Sequence, residues 1–260
     1  MGKMVQERLE KIKALLSANG MVKANELTRQ LGVSIETVRR DLEFLEKCGL
    51  LKRVYGGGIA NNTRGIERNY SSRECLHMDE KRAIAKKTAS LVNDGDALVM
   101  DLGTTTLEVA KCLADKNELT ILTNSLPVGM EMVKNRSCHV YMLGGELRDG
   151  DFSTSGLLAT SGLSNFRVDK AIFGASGVSP KNGVTDYHVE EANVRRRMME
   201  IADKVILCTD SSKFAISAFV HVCDVTDIDV IVTDSGVSQQ MVDAFDGLAV
   251  ELSIAQVTDL

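Results

Sequence analysis

Long apolar runs are missing from this 260-residue chain: no stretch of about 18 apolar residues occurs, so no membrane-spanning helix is expected. The first residues (Met1, Gly2, Lys3, Met4, Val5, Gln6, Glu7, Arg8) run straight into charge without the apolar core of a signal peptide, which predicts a cytoplasmic protein. Cysteine pairing signals are also absent. Cys48, Cys75, Cys112, Cys138, Cys208 and Cys223 form no C-x-x-C pair, so neither a zinc site nor a disulfide framework is indicated. His77, His139, His188 and His221 stand apart, and although Cys138 adjoins His139, neighbours on a strand point to opposite faces. No metal or cofactor is expected. Net positive charge is lacking as well, since the chain carries −5, which would discourage a nucleic-acid partner if the charge were evenly spread. It is not. Residues 1–58 hold 11 Lys/Arg against 7 Asp/Glu, a balance of +4, which leaves 20 against 29, or −9, for the remainder.

The basic end has helical periodicity. Leu9, Ile12 and Leu16 form an amphipathic stripe that Asn19-Gly20 ends with a left-handed cap. A second helix is written over 24–31, and Gly32 supplies a turn. Ser34 then caps a third helix, with Val33 and Val38 set as a hydrophobic staple and Glu36 in the first turn. Along it Ile35, Val38, Leu42 and Leu45 share one side, whereas Arg40, Glu36 and Thr37 lie opposite and Arg39 flanks them. This is the order of a helix-turn-helix, whose last helix enters the major groove. After a stop at Cys48-Gly49, residues 50–55 read as a strand and Gly56-Gly57-Gly58 as a turn, together a basic wing in which Lys52 and Arg53 neutralise phosphates.

Glu26-Leu27, Val33-Ser34, the run Thr37-Val38-Arg39-Arg40-Asp41-Leu42, Leu45-Glu46, Gly49 and Arg53-Val54-Tyr55-Gly56-Gly57 together resemble the winged-helix signature of the DeoR family of bacterial regulators. The resemblance implies a double-stranded operator DNA partner. The DNA contacts expected are Ser34, Glu36, Thr37, Arg39 and Arg40 on the helix, with Lys52, Arg53 and Tyr55 on the wing.

The segment 60–75 is polar and lacks sustained periodicity, so it reads as a linker between a domain over 1–59 and a larger one over 76–260. In the latter, β-rich runs at 97–101, 119–123, 140–143, 170–173, 205–209 and 230–233 alternate with helical stretches at 81–92, 126–134, 189–202 and 237–245. That alternation predicts an α/β domain with a largely parallel sheet. Ligands gather outside the carboxyl ends of such strands. Asp101 is followed there by Gly103-Thr104-Thr105-Thr106 at a helix start, a natural anion pocket. Another strand ends in Thr123-Asn124-Ser125, another in Gly144-Gly145-Glu146-Leu147-Arg148, and another delivers Asp210-Ser211-Ser212-Lys213. These four segments, in order and spacing over about 76–234, resemble the effector domain of the same family. The resemblance implies a phosphorylated sugar or related metabolite as effector and a domain related to ribose-5-phosphate isomerase. The candidate effector contacts are Asp101, Gly103, Thr104, Thr105, Thr106, Asn124, Ser125, Gly144, Gly145, Arg148 and Lys213. It further implies a homodimer or higher homo-oligomer, although no heptad seam is present.

Two other readings compete. A catalytic isomerase needs carboxylates where this chain has Gly174-Ala175-Ser176-Gly177, and a base where it has Val194, although Glu190 and Glu191 stand nearby. A DNA-binding protein without a small ligand fits the N-terminus and leaves the anion-type loops unexplained. A non-enzymatic regulator, most simply a repressor of a carbohydrate operon, is the expectation.

Overall fold

A computed structural model describes residues 3–47, 50–60, 70–214 and 216–257. The chain divides into two compact units, Met1–Leu76 and His77–Leu260.

The first unit runs α1 (Lys3–Asn19), β1 (Met21–Lys23), α2 (Ala24–Leu31), α3 (Ile35–Lys47), β2 (Leu51–Val54), β3 (Gly57–Ala60) and α4 (Tyr70–Cys75). The stripes read from the sequence form one core: Leu9, Ile12 and Leu16 of α1 meet Leu27 of α2, and Val38, Leu42 and Leu45 of α3. The strands form an antiparallel sheet in the order β1-β3-β2. Helix α2 ends at Gly32 in the left-handed conformation, and the Ser34 Oγ accepts the Thr37 amide at 3.2 Å, so the turn and cap are as expected. A contact the periodicity did not reveal fixes the third helix. Arg8 of α1 donates through Nε and a terminal nitrogen to the two oxygens of buried Asp41, at 2.5 and 2.9 Å.

The glycine run needs correction. The turn is Tyr55-Gly56, and Gly57 and Gly58 lie within β3. A Cβ on Gly57 would stand 2.0 Å from the Val22 carbonyl oxygen, so glycine is there to let β3 approach β1 rather than to reverse the chain. Of the segment read as a linker, 61–69 lie outside the described residues, as do Cys48 and Gly49, and its end is helical as α4, with Tyr70 buried.

The second unit begins with α5 (Met78–Ala89), β4 (Ala97–Met100), α6 (Thr104–Cys112), β5 (Thr120–Thr123), α7 (Leu126–Met132) and β6 (His139–Met142). A small hairpin follows, β7 (Glu146–Leu147) and β8 (Thr154–Ser155), then α8 (Leu157–Leu163) and β9 (Val168–Phe173). The remainder is β10 (Gly177–Ser179), β11 (Gly183–Asp186), α9 (Val189–Glu200), β12 (Ala202–Cys208), β13 (Val220–Cys223), β14 (Val230–Asp234), α10 (Gln239–Phe245) and β15 (Glu251–Ala255).

Seven strands make a parallel sheet in the order β15-β14-β12-β9-β4-β5-β6. All six β-rich runs are members, and β15 is an addition. The inner strands are apolar on both faces, as a covered parallel sheet requires, whereas the edge strand β6 is largely exposed. Leu98, Met100 and Ile121 pack with Ile84 of α5, Val109 of α6 and Val128 of α7, whereas Val99 and Leu122 pack with Ala159 of α8 and with Val194 and Met198 of α9. From β4 the chain builds outward through β5 to β6, then returns to place β9 on the other side of β4 and builds the opposite way. The strand order therefore reverses between β4 and β9, and the crevice outside their carboxyl ends is where such sheets bind ligands. No described helix is long and apolar enough to cross a membrane.

The close approach at Gly57 yields a prediction. Gly57→Ala should destabilise the N-terminal unit by about 1–3 kcal/mol, the usual cost of overpacking against a backbone that must shift. Chemical denaturation checks it, and an unchanged midpoint would contradict the account of β3.

Candidate functional site

The sequence points to two sets of residues, one in each unit. On α3, burial of Val38, Leu42 and Leu45 turns Arg39 and Arg40 outward, and both are exposed. The other residues of this face are partly engaged with one another. Arg39 pairs with Glu36 at 2.7 Å, and the Ser34 and Thr37 hydroxyls lie 2.9 Å apart around the cap. On the wing Lys52 and Arg53 are exposed, and the Arg53 amide donates to Glu46 Oε1 at 2.7 Å, which ties the wing strand to the end of α3. Tyr55 stands at the wing tip, fully exposed. The result is a capped helix and a two-stranded wing whose outward groups include three arginines and a lysine.

In the second unit the marked loops follow β4, β5, β6, the short β7 and β12. Gly103 is the N-cap of α6 with φ 141° and ψ 154°, a conformation reserved for glycine, and no side chain caps the helix. The buried Thr106 turns its hydroxyl back to the Gly103 carbonyl at 2.9 Å, while Thr104 and Thr105 complete the first turn. This leaves main-chain donors and the positive end of a nine-residue helix at the crevice. Ser125 instead caps α7 through the Val128 amide, 3.4 Å away. Asn124 is fully buried and donates to the Thr154 carbonyl at 3.2 Å. Gly144 and Gly145 lead into β7, and a Cβ on Gly145 would meet the Ser155 carbonyl oxygen at 2.4 Å. Lys213 closes a short 3₁₀ turn after β12, whose entry is held by Asp210 accepting the Ser212 amide at 3.1 Å.

Arg148 departs from expectation. It is bound to Asp151 and to Glu191, so its guanidinium is committed within the protein rather than standing open for an anion. These pairs belong to a network that sequence reasoning missed. Buried Arg195 of α9 donates through Nε to Asp101 at 2.6 Å, bonds Asp186 at the end of β11, and lies 3.5 Å from Glu191. Four carboxylates thus share two arginines. Burial pushes the Asp101 carboxyl above its ordinary range, against the opposing pull of Arg195. A cleft of about 280 Å³ opens beside the network, lined among others by Glu146, Arg148, His188 and Glu191. Only the spacing of Glu191 and Arg195, one helical turn apart, could have hinted at this arrangement. Among the described residues no group of His, Cys, Asp and Glu is arranged to hold a metal. The Cys208 thiol, pushed up to about 12 by burial, is a core group.

The family model of the DeoR-like helix-turn-helix domain matches residues 8–64, and that of the DeoR C terminal sensor domain matches residues 76–235. The chain belongs to the DeoR family of DNA-binding transcription regulators. Among similar DeoR-family proteins, the transcriptional repressor AccR of Agrobacterium fabrum is 35% identical over 232 residues, which is 89% of this chain and 90% of that one. The lactose phosphotransferase system repressor of Staphylococcus epidermidis is 34% identical over 232 residues, covering 88% and 92%. Ribose 5-phosphate isomerase A from Methanocaldococcus jannaschii aligns in structure over 52% of this chain and 53% of its own, at 16% identity and a TM-score of 0.39, a likeness too slight to bear on chemistry.

Removing Arg195 tests the network. Arg195→Leu strands Asp101 and Asp186 as buried carboxylates without an arginine partner, while Glu191 keeps Arg148, and should cost about 3–5 kcal/mol at neutral pH. Their folded-state pKa values then rise above those of the unfolded chain, so the native state binds more protons and the loss shrinks as pH falls through that interval. Urea unfolding of both proteins at pH 7 and pH 5 measures it. A deficit that is small, or that grows on acidification, would contradict the assignment.

Proposed function

We propose that this DeoR-family chain represses genes of carbohydrate use, reading double-stranded operator DNA through α3 and the wing. Its affinity for DNA is controlled by a phosphorylated sugar or related metabolite in the crevice at the strand ends. It acts in the cytoplasm as a homodimer or higher homo-oligomer, so that paired recognition helices meet paired half-sites. The observation that carries the reading is Arg40: it is exposed on α3 directly behind Val38 and Leu42, which pack inward, so its guanidinium faces outward from a helix held rigidly by the Arg8–Asp41 pair. An arginine so placed pairs with guanine in the major groove. The names of two relatives, a transcriptional repressor and a lactose phosphotransferase system repressor, support repression and a link to sugars.

The effector reading is supported by the uncapped start of α6 at the switch point of the sheet. Lys213, on the loop after β12, supplies a cation at the same end of the sheet. An isomerase reading fares worse. A side chain at Gly177 would meet the Ile216 carbonyl oxygen at 2.3 Å, which leaves no room for a carboxylate, and Val194 of α9 is fully buried against the sheet. Glu190 is exposed and Glu191 is tied to the arginines, so neither stands ready as a base. We take the domain as a binder without turnover.

Two outcomes are expected. Arg40→Ala should weaken binding to a specific duplex by about 1–3 kcal/mol and relax base preference, whereas Lys52→Ala should weaken specific and scrambled duplexes alike. Titrations at one salt concentration decide, and an unchanged Arg40→Ala protein would remove α3 as the reading helix. Lys213→Ala and Thr105→Ala should each require about ten- to a hundredfold more effector to change DNA binding, as loss of a charge-assisted hydrogen bond implies. With a panel of hexose and pentose phosphates as probes, an identical ligand response in wild type and both variants would place the effector on other loops.

A further inference from the structure

The seven-stranded sheet has two open edges, and they are built differently. At β15 the exposed Glu251 stands on the strand, and Lys86 and Lys87 of α5 line a cleft beside its end, charges of the kind that keep a strand edge from pairing. β6 has none. Residues 137–145, which contain it, and residues 152–166, which contain α8, hold no Asp, Glu, Lys or Arg, in a chain of which 26% is charged. Along this edge Tyr141 and Met142 of β6, Leu147 of β7, Phe152 in the hairpin turn, and Leu157 and Leu158 of α8 are all exposed, the last two at 82% and 70%.

These side chains belong to one surface. The hairpin is tied to the end of β6, where Thr154 Oγ1 donates to the Leu143 carbonyl at 2.8 Å. α8 follows directly from β8 and covers the same strand: a Cβ on Gly162 would stand 3.7 Å from Leu143 Cδ2, and the Tyr141 ring meets that of Phe166, just past the helix, with centroids 6.1 Å apart. Phe152 is held in the left-handed region, φ 56°, with its carbonyl accepting the Leu126 amide at 2.9 Å and the Ser153 hydroxyl donating to buried Asp151 at 2.8 Å. A bulky residue rarely adopts that conformation, so strain is stored where an aromatic ring is presented to solvent. A surface helix ordinarily turns charge outward, and α8 turns out two leucines instead. Scattered exposed leucines need no explanation, but a continuous apolar patch marks a contact.

Resting on the homo-oligomeric reading above, we propose that this edge is the face through which two copies of the chain associate about a two-fold axis. α8, the hairpin and β6 of one copy meet the same elements of the other. Charge decides for a second copy. At a two-fold contact the patch meets itself, so a charge near the axis would face its like. Residues 59–260 carry −9, and a unit so charged associates with its own copy only through a patch from which charge is removed. A partner of different sequence could be met by opposite charge instead. The six side chains present on the order of 700 Å², close to the roughly 800 Å² that each partner brings to a stable interface.

Sedimentation equilibrium on the full chain, with Leu157→Glu and Leu158→Glu combined in one variant, tests this. The wild type should sediment as a dimer or larger species, and the dissociation constant of the variant should rise a hundredfold or more. A variant as fully associated as the wild type overturns the inference and leaves the homo-oligomeric reading standing, with this face then the seat of a different protein. A wild type that stays monomeric at micromolar concentration overturns both. If the variant fails to fold, as judged by its thermal transition, hydrogen exchange on the wild type decides. Amides of 139–142 and 152–158 should gain protection as the concentration rises through the association range, and protection gained only elsewhere overturns the inference.

Discussion

The second unit depends on one buried arginine. Arg195 reaches from α9 to Asp101 at the end of β4 and to Asp186 at the end of β11, and its own helix contributes Glu191 one turn earlier. Such a group adds little net stability, because desolvation offsets most of the attraction. Its effect is geometric. It fixes the carboxylate at the point where the strand order reverses, anchors the antiparallel sheet that β10, β11 and β13 form to the large one, and orients Glu191 toward Arg148. The crevice therefore has the main-chain donors at the start of α6 on one side and this arginine-carboxylate network on the other.

The same device recurs in the first unit at smaller scale. Arg8 and Asp41 lock α1 to α3, so the proposed recognition helix is held by an ion pair as well as by Val38, Leu42 and Leu45. A rigid helix presents Arg40 in one orientation, which a directional contact to a base edge demands. Arg39, by contrast, is engaged with Glu36 in an exposed pair of the kind that contributes little to stability.

Much of this was legible in the sequence where local chemistry decides structure. Ser34 after Gly32, and the stripe of Val38, Leu42 and Leu45, specify a capped amphipathic helix regardless of what surrounds it. Six apolar runs separated by helical periods specify a parallel sheet, and the loops at their ends locate the crevice. What escaped is set by residues far apart in the chain. Three consecutive glycines read as a turn, yet Gly57 is required by the carbonyl of Val22, thirty-five positions away. Arg148 resembled an open anion site because Glu191 approaches it only in three dimensions. The strands β10 and β11 are three and four residues long with glycines at their starts, too short for alternation to register. β15 is an edge strand whose exposed and buried residues mix too weakly to stand out.

The central claim is that one chain joins a sequence-specific DNA reader to a sensor for a phosphorylated metabolite. Selection of genomic fragments by the full-length chain, followed by challenge of the bound fragments with phosphorylated sugars, tests it most directly. The account predicts enrichment of a discrete sequence built from repeated half-sites, and a change in its occupancy with some phosphorylated sugars but not with their unphosphorylated parents. Fragments recovered without sequence preference, or a specific complex indifferent to every phosphorylated sugar, would contradict it.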